Sequence, residues 1–153
     1  MSLIDRTRGA SPEDIWTYRD RRLTNIVFKT FTYTNSAEVR AYQLTTVLYD
    51  KITITAPSDR VLWILGIRFY RESRIDGGCC AESRIQYGDN PMDGYASTNS
   101  KTYVSLLTHH WAGFMVPPDF TITINIWLRS SDPNYSAFMR NVRIDILYME
   151  VIL

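Results

Sequence analysis

The chain reads as an all-β protein: an antiparallel β-sandwich, jelly-roll-like in build, preceded by an extended N-terminal arm. Three observations carry that reading. Aromatic and β-branched residues are abundant, with 10 Tyr, 6 Phe and 4 Trp, while alanine is scarce. Several short runs alternate apolar and polar residues with a period of two, and helical periodicity is almost absent. Turn residues separate those runs, with no helices between them, as in stacked antiparallel sheets. An immunoglobulin-like Greek key is the other arrangement that this pattern admits.

The clearest strand covers residues 120–128. Phe120, Ile122, Ile124, Ile126 and Leu128 occupy one face, and Thr121, Thr123 and Asn125 lie between them. Pro117-Pro118 bounds it on one side and Ser130-Ser131-Asp132-Pro133-Asn134 on the other. A second strand is expected over 61–71. Its core face would carry Val61, Trp63, Leu65, Ile67 and Phe69, and its other face Leu62, Ile64, Gly66, Arg68 and Tyr70. Weaker strands are expected over 25–33, 39–49, 51–55, 102–107 and 113–116. Between the strong strands, residues 73–100 read as one long irregular stretch, interrupted at most by a short strand at 83–87. Loops of that length are uncommon in compact domains, which makes this one a candidate for outside contacts.

The last strand, 141–153, has a different pattern. Val142, Ile144, Ile146 and Tyr148 form an ordinary core face. The opposite face begins with Arg143 and Asp145, then turns apolar at Leu147, Met149, Val151 and Leu153, and Glu150 is the only charge in that second half. One face of such a strand should be wet. An apolar second face needs a cover, either the chain's own N-terminal arm or another subunit.

Composition narrows the function. A chain of 153 residues fits one domain and buries roughly 68–70% of its unfolded surface, enough for a real core. Seventeen basic residues against 16 acidic ones leave no surplus for displacing counterions from nucleic acid, nor a polybasic membrane anchor. The apolar runs are too short to span a bilayer as helices, and the first residues lack a signal-peptide core, so synthesis in a cytoplasm is expected. The basic residues are 14 Arg and only 3 Lys, a bias that agrees with protein–protein interfaces and equally with codon usage.

Residues 1–24 read as the arm and 25–153 as the sandwich. In the arm, Ser11-Pro12-Glu13-Asp14 is a helix-start signature, good for a turn or two. Trp16 and Tyr18 supply apolar anchors, and residues 1–10 look extended. The segment from Ser11 to Thr24 also resembles one that recurs in structural proteins of tailed phages, matching at Asp14, Ile15, Trp16, Tyr18, Arg22, Leu23 and Thr24, with Arg21 an alternative for the arginine position. The similarity covers about fourteen residues of 153, less than a tenth of the chain. It implies a virion component made in the host cytoplasm: a head decoration (cement) protein, a minor capsid protein or a tail accessory. Its implied partners are further copies of itself, as a homotrimer or other homo-oligomer, and a major capsid protein. The expected interface residues are Ile15, Trp16, Tyr18 and Arg22 in the arm, reaching outward to a neighbouring subunit, with Leu147, Met149, Val151 and Leu153 in the last strand.

The residues that could carry chemistry do not assemble into a site on sequence grounds. His109 and His110 would point to opposite faces of a strand, and no Gly-x-Ser-x-Gly elbow nominates a nucleophile. Cys79 and Cys80 are adjacent, so they cannot staple distant segments; free thiols, or a bond across a subunit boundary, are favoured over a bond to each other. Asp89, Asn90 and Asp93 depart from the calcium-loop spacing, and Gly77-Gly78 lacks the lysine and helix of a phosphate loop. The expectation is therefore a non-enzymatic protein without a cofactor or metal, whose contacts are with protein and not with nucleic acid or membrane. The runner-up is a carbohydrate- or receptor-binding sandwich, for which Tyr70 and Trp127 are the candidate stacking residues.

Overall fold

The computed structural model describes residues 26–87 and 93–153, which form nine strands and no helix. In chain order these are β1 (Ile26–Asn35), β2 (Val39–Ala41), β3 (Thr46–Thr55), β4 (Arg60–Ile75), β5 (Ala81–Tyr87), β6 (Asp93–Thr98), β7 (Val104–Val116), β8 (Thr121–Ser130) and β9 (Ala137–Ile152). One sheet runs β1-β9-β4-β7, with β2 continuing beside β9 where β1 leaves off, and the other runs β3-β8-β5-β6. All pairings are antiparallel.

The pairing has a simple logic. The first strand position pairs with the last, β3 with β8, β4 with β7, and β5 with β6. That is a long hairpin rolled onto itself, the jelly roll. The arm falls outside the described residues, as do Ile15, Trp16, Tyr18 and Arg22.

The core lies between the sheets. Ile64, Ile67, Phe69, Ile144 and Ile146 from the first sheet meet Ile85, Ile124, Ile126 and Leu128 from the second, all buried. The even face of β9 is inward as expected, with Val142, Ile144 and Ile146 buried and Tyr148 packed at the margin. Arg71 is buried in the same layer. Its Nε donates to Ser83 Oγ (2.8 Å), and its Nη1 donates to the Phe69 carbonyl (2.9 Å) and to Thr108 Oγ1 (2.8 Å). Burial pushes its pKa down to about 9.

Several expectations need correction. Against β9, a β-bulge between Ile64 and Gly66 inserts an extra residue into β4 and switches its faces. Leu62 and Ile64 therefore point inward before it and Ile67 and Phe69 after it, so Val61 and Trp63 do not share the core face of Phe69. Phe120 is 64% exposed because it closes the turn before β8, where its N–H donates to the Pro117 carbonyl. The stretch 73–100 is no long loop: β4 extends to Ile75, and β5 and β6 form a hairpin beyond it. Residues 104–107 and 113–116 belong to the one strand β7, and 102 and 103 precede it.

Cys79 and Cys80 are joined to each other by a disulfide and share a cis peptide. Free thiols or a bond across subunits were the expectation. Contacts with the β8–β9 connection hold this turn: the Cys79 N–H donates to Asp132 Oδ2 and the Cys80 N–H to Ser131 Oγ, each at 3.0 Å. Gly78 has φ +63, and a Cβ there would lie 1.9 Å from Asp132 Oδ2, so the turn needs glycine twice over.

Candidate interaction surface

The outer face of the first sheet divides into two halves. Register places its apolar residues in rows across the strands. Ile26, Val151 and Val61 form one row, then Phe28, Met149, Trp63 and Met115, then Thr30, Leu147, Gly66 and Trp111. Trp111 is 82% exposed, Phe28 67% and Met115 58%. Ile26, Trp63 and Leu147 are exposed to a lesser degree, and Met149 and Val151 are half-buried at the centre. Large contiguous apolar patches are rare on soluble monomers and mark interaction sites.

The β4 bulge builds this surface by turning Trp63 outward, into line with Met149. The Trp111 ring lies beside Gly66, 3.8 Å from where a Cβ would be, at ordinary contact distance. Leu147, Met149 and Val151 thus stand together on one face, as the sequence implies. Leu153 lies just past the end of β9 and is 74% exposed. The sequence reading missed Phe28, Trp63, Trp111 and Met115. A signal was available: like the end of β9, the start of β4 is apolar on both faces, from Val61 to Leu65.

Next to the apolar half, the face becomes polar. A shallow groove of about 220 Å³ lies between Thr30, Arg68, His109, Trp111 and Asp145. Asp145 is buried, and its Oδ1 accepts from Thr32 Oγ1 (2.9 Å) and Arg143 Nε (3.0 Å). Burial opposes its ionisation, but those hydrogen bonds win and hold its carboxyl below the usual carboxylate range. Farther along, arginines close the surface by stacking on aromatic rings. Arg74 lies 3.8 Å over the Phe138 ring and Arg140 3.9 Å over Tyr103. Arg140 Nε also donates to Glu72 Oε2 at 2.7 Å.

Glu150 faces the interior, where the margin of the sandwich opens. Lys29 Nζ (3.0 Å) and Arg60 Nη1 (2.5 Å) both donate to it, which ties β1, β9 and β4 together. Here too burial raises the pKa, and the two cationic donors more than offset it.

The remaining candidates stay apart. His109 lies on the outer face beside Arg68, while His110 faces inward with its Nε2 2.9 Å from the Tyr87 hydroxyl. Among the described residues, no group of three or more His, Cys, Asp or Glu side chains is placed to hold a metal ion. Asp89 and Asn90, and the Asp93 side chain, lie outside what the structure describes. Tyr70 and Trp127 are both half-buried, Tyr70 on the outer face of the first sheet and Trp127 on that of the second.

No protein-family model and no curated protein matches the chain. Among solved structures it is similar to one described as "Structure of infectious bursal disease virus Gx strain", at 12% identity and a TM-score of 0.34. The match covers 82% of this chain and 41% of that one, so this chain spans less than half of its length.

Proposed function

We propose that the chain is a non-enzymatic structural protein of a virus particle, a capsid decoration (cement) or minor capsid protein that associates with its own copies and with the shell. One observation carries this reading: a folded sheet leaves Phe28, Trp63, Trp111, Met115 and Leu147 exposed together on one face. The apolar interior is filled without them, so they serve something outside the sandwich. The resemblance of residues 11–24 to a tailed-phage segment supplies the particle, and the apolar face supplies the contact.

The test is where the protein goes. Antibody raised against the purified chain should label intact particles of the virus that encodes it, in a regular pattern over the shell under electron microscopy. Finding the chain in the infected-cell lysate but not in purified particles would overturn the reading.

A second reading is favoured by Trp111, whose exposed ring borders Arg68, Asp145 and His109 in the groove. An aromatic plane beside paired polar groups suits the apolar face and hydroxyls of a sugar. Retention of the protein on a glycan array, abolished by Trp111→Ala with no change in its mass, would favour a carbohydrate- or receptor-binding module instead.

A further inference from the structure

We infer that β1 is an unfinished sheet edge, and that it pairs antiparallel with β1 of a second copy of this chain. This rests on the reading of the chain as self-associating, and it names the contact.

Sheet edges offer unpaired N–H and C=O groups, and soluble proteins blunt them with bulges, charges, Pro or brevity. The other edges show such devices. β7 faces β4 across a bulge and carries Gly113. A bulge between Leu48 and Asp50 breaks β3, with charged Asp50 and Lys51 beside it. β6 has six residues and an irregular register with β5. In contrast, β1 has ten residues with no Gly or Pro, in unbroken register with β9, its only partner among the described residues.

Its side chains match that description. Every residue from 26 to 32 is exposed, and four of the seven are large and apolar: Ile26 and Phe28 on the outer face, Val27 and Phe31 on the inner. Lys29 is the only charge, and Glu150 already engages it. The far end of β1 is anchored instead, with the Tyr33 hydroxyl and the Asn35 amide both donating to Asp50 of β3.

A second copy is the occupant that fits. A strand can always pair antiparallel with itself about a two-fold axis, so donors meet acceptors with no further species. With Thr30 at the axis, Phe28 of one copy falls opposite Thr32 of the other, and Lys29 opposite Phe31, so no like charges meet. The chain's own preceding residues suit the edge less well. Residues 20–25 read DRRLTN, without the glycine that a tight hairpin back onto β1 favours.

The experiment compares the full chain with V27K/F31K, which places three lysines along the inner side of β1 and leaves the outer face untouched. Light scattering should give the wild type an even multiple of 17.8 kDa and the variant half that mass, with the same circular dichroism. Hydrogen exchange on the wild type gives a readout without mutation: β1 amides should gain protection as concentration rises, while those of β4 stay constant. An assembled wild type whose mass the variant keeps would overturn β1 pairing and leave self-association standing. Protection of residues 11–24 in step with β1 would assign the edge to that segment and overturn the pairing too. A wild type that is monomeric throughout would remove both readings.

Discussion

The two halves of the first sheet's outer face use the same strands to opposite ends. Toward residues 138–145 the surface is closed from within: Arg74 stacks on Phe138, Arg140 bridges Tyr103 and Glu72, and Arg143 holds Asp145. Toward residues 147–151 the same β9 sets Met149 in a row between Phe28 and Trp63, which stay exposed. The contrast shows how the arginine bias is used. Arg40, Arg74 and Arg140 act as lids on the chain's own rings and not as contacts held ready for a partner. The outward contact is left to the apolar half.

Truncating one phenylalanine in each half gives the largest expected difference. Phe138 is 8% exposed beneath its arginines, so Phe138→Ala should cost about 3 kcal/mol in urea unfolding. Phe28 is 67% exposed, and Phe28→Ala should leave the dissociated monomer within about 0.5 kcal/mol of wild type. A similar cost at both sites would mean that the apolar half is internal packing.

The next effect is electrostatic. Glu150, Asp145 and Asp50 all have carboxyl pKa values lowered on folding. Groups of that kind stabilise the fold fully above their unfolded values, near 4.5 for Glu and 3.8 for Asp, and the contribution fades as pH falls through the lower folded values. Stability measured by denaturant should therefore be level from neutral pH to about 5 and fall below that. Glu150→Gln should make the fall shallower and cost roughly 1 kcal/mol at pH 7, a modest figure because Lys29 and Arg60 keep access to solvent. A mutant with an unchanged acid slope would show that this ion cluster does not couple to folding.

The smallest effect sharpens the role of the lids. Arg74→Lys keeps the charge facing Asp76 but loses the flat stack on Phe138, and should cost about 0.5–1 kcal/mol. An unchanged unfolding midpoint would show that the stack is ornamental.

The fold class was legible because β8, and β9 from Val142 to Tyr148, each keep one unbroken apolar face, which period-two reading detects. The apolar second face of β9 was legible for the same reason. Trp63 was not, because a bulge adds a residue that counting by twos cannot see, and the error moved a surface tryptophan into the core. β6 was hidden among Gly88, Asp89, Asn90, Pro91 and Gly94, whose turn preferences outweigh a six-residue strand. Phe28 and the β1 edge were out of reach on other grounds. Whether a strand is an edge depends on the whole roll, in which the first strand position pairs with the last and has nothing beyond it among the described residues.

The central claim is that the apolar half is an interface, and Met149→Asp tests it most directly. Met149 sits mid-row between Phe28 and Trp63, so a carboxylate there would have to be desolvated on association. Fully burying each such side chain is worth about 1.5–3 kcal/mol, which makes the row a substantial driving force. Light scattering at micromolar concentration should find the wild type at a higher multiple of 17.8 kDa than Met149→Asp, which keeps at most the pair joined through β1, with the sandwich still folded by circular dichroism. A wild type already at 17.8 kDa that binds no shell, matched by its mutant, would contradict the account.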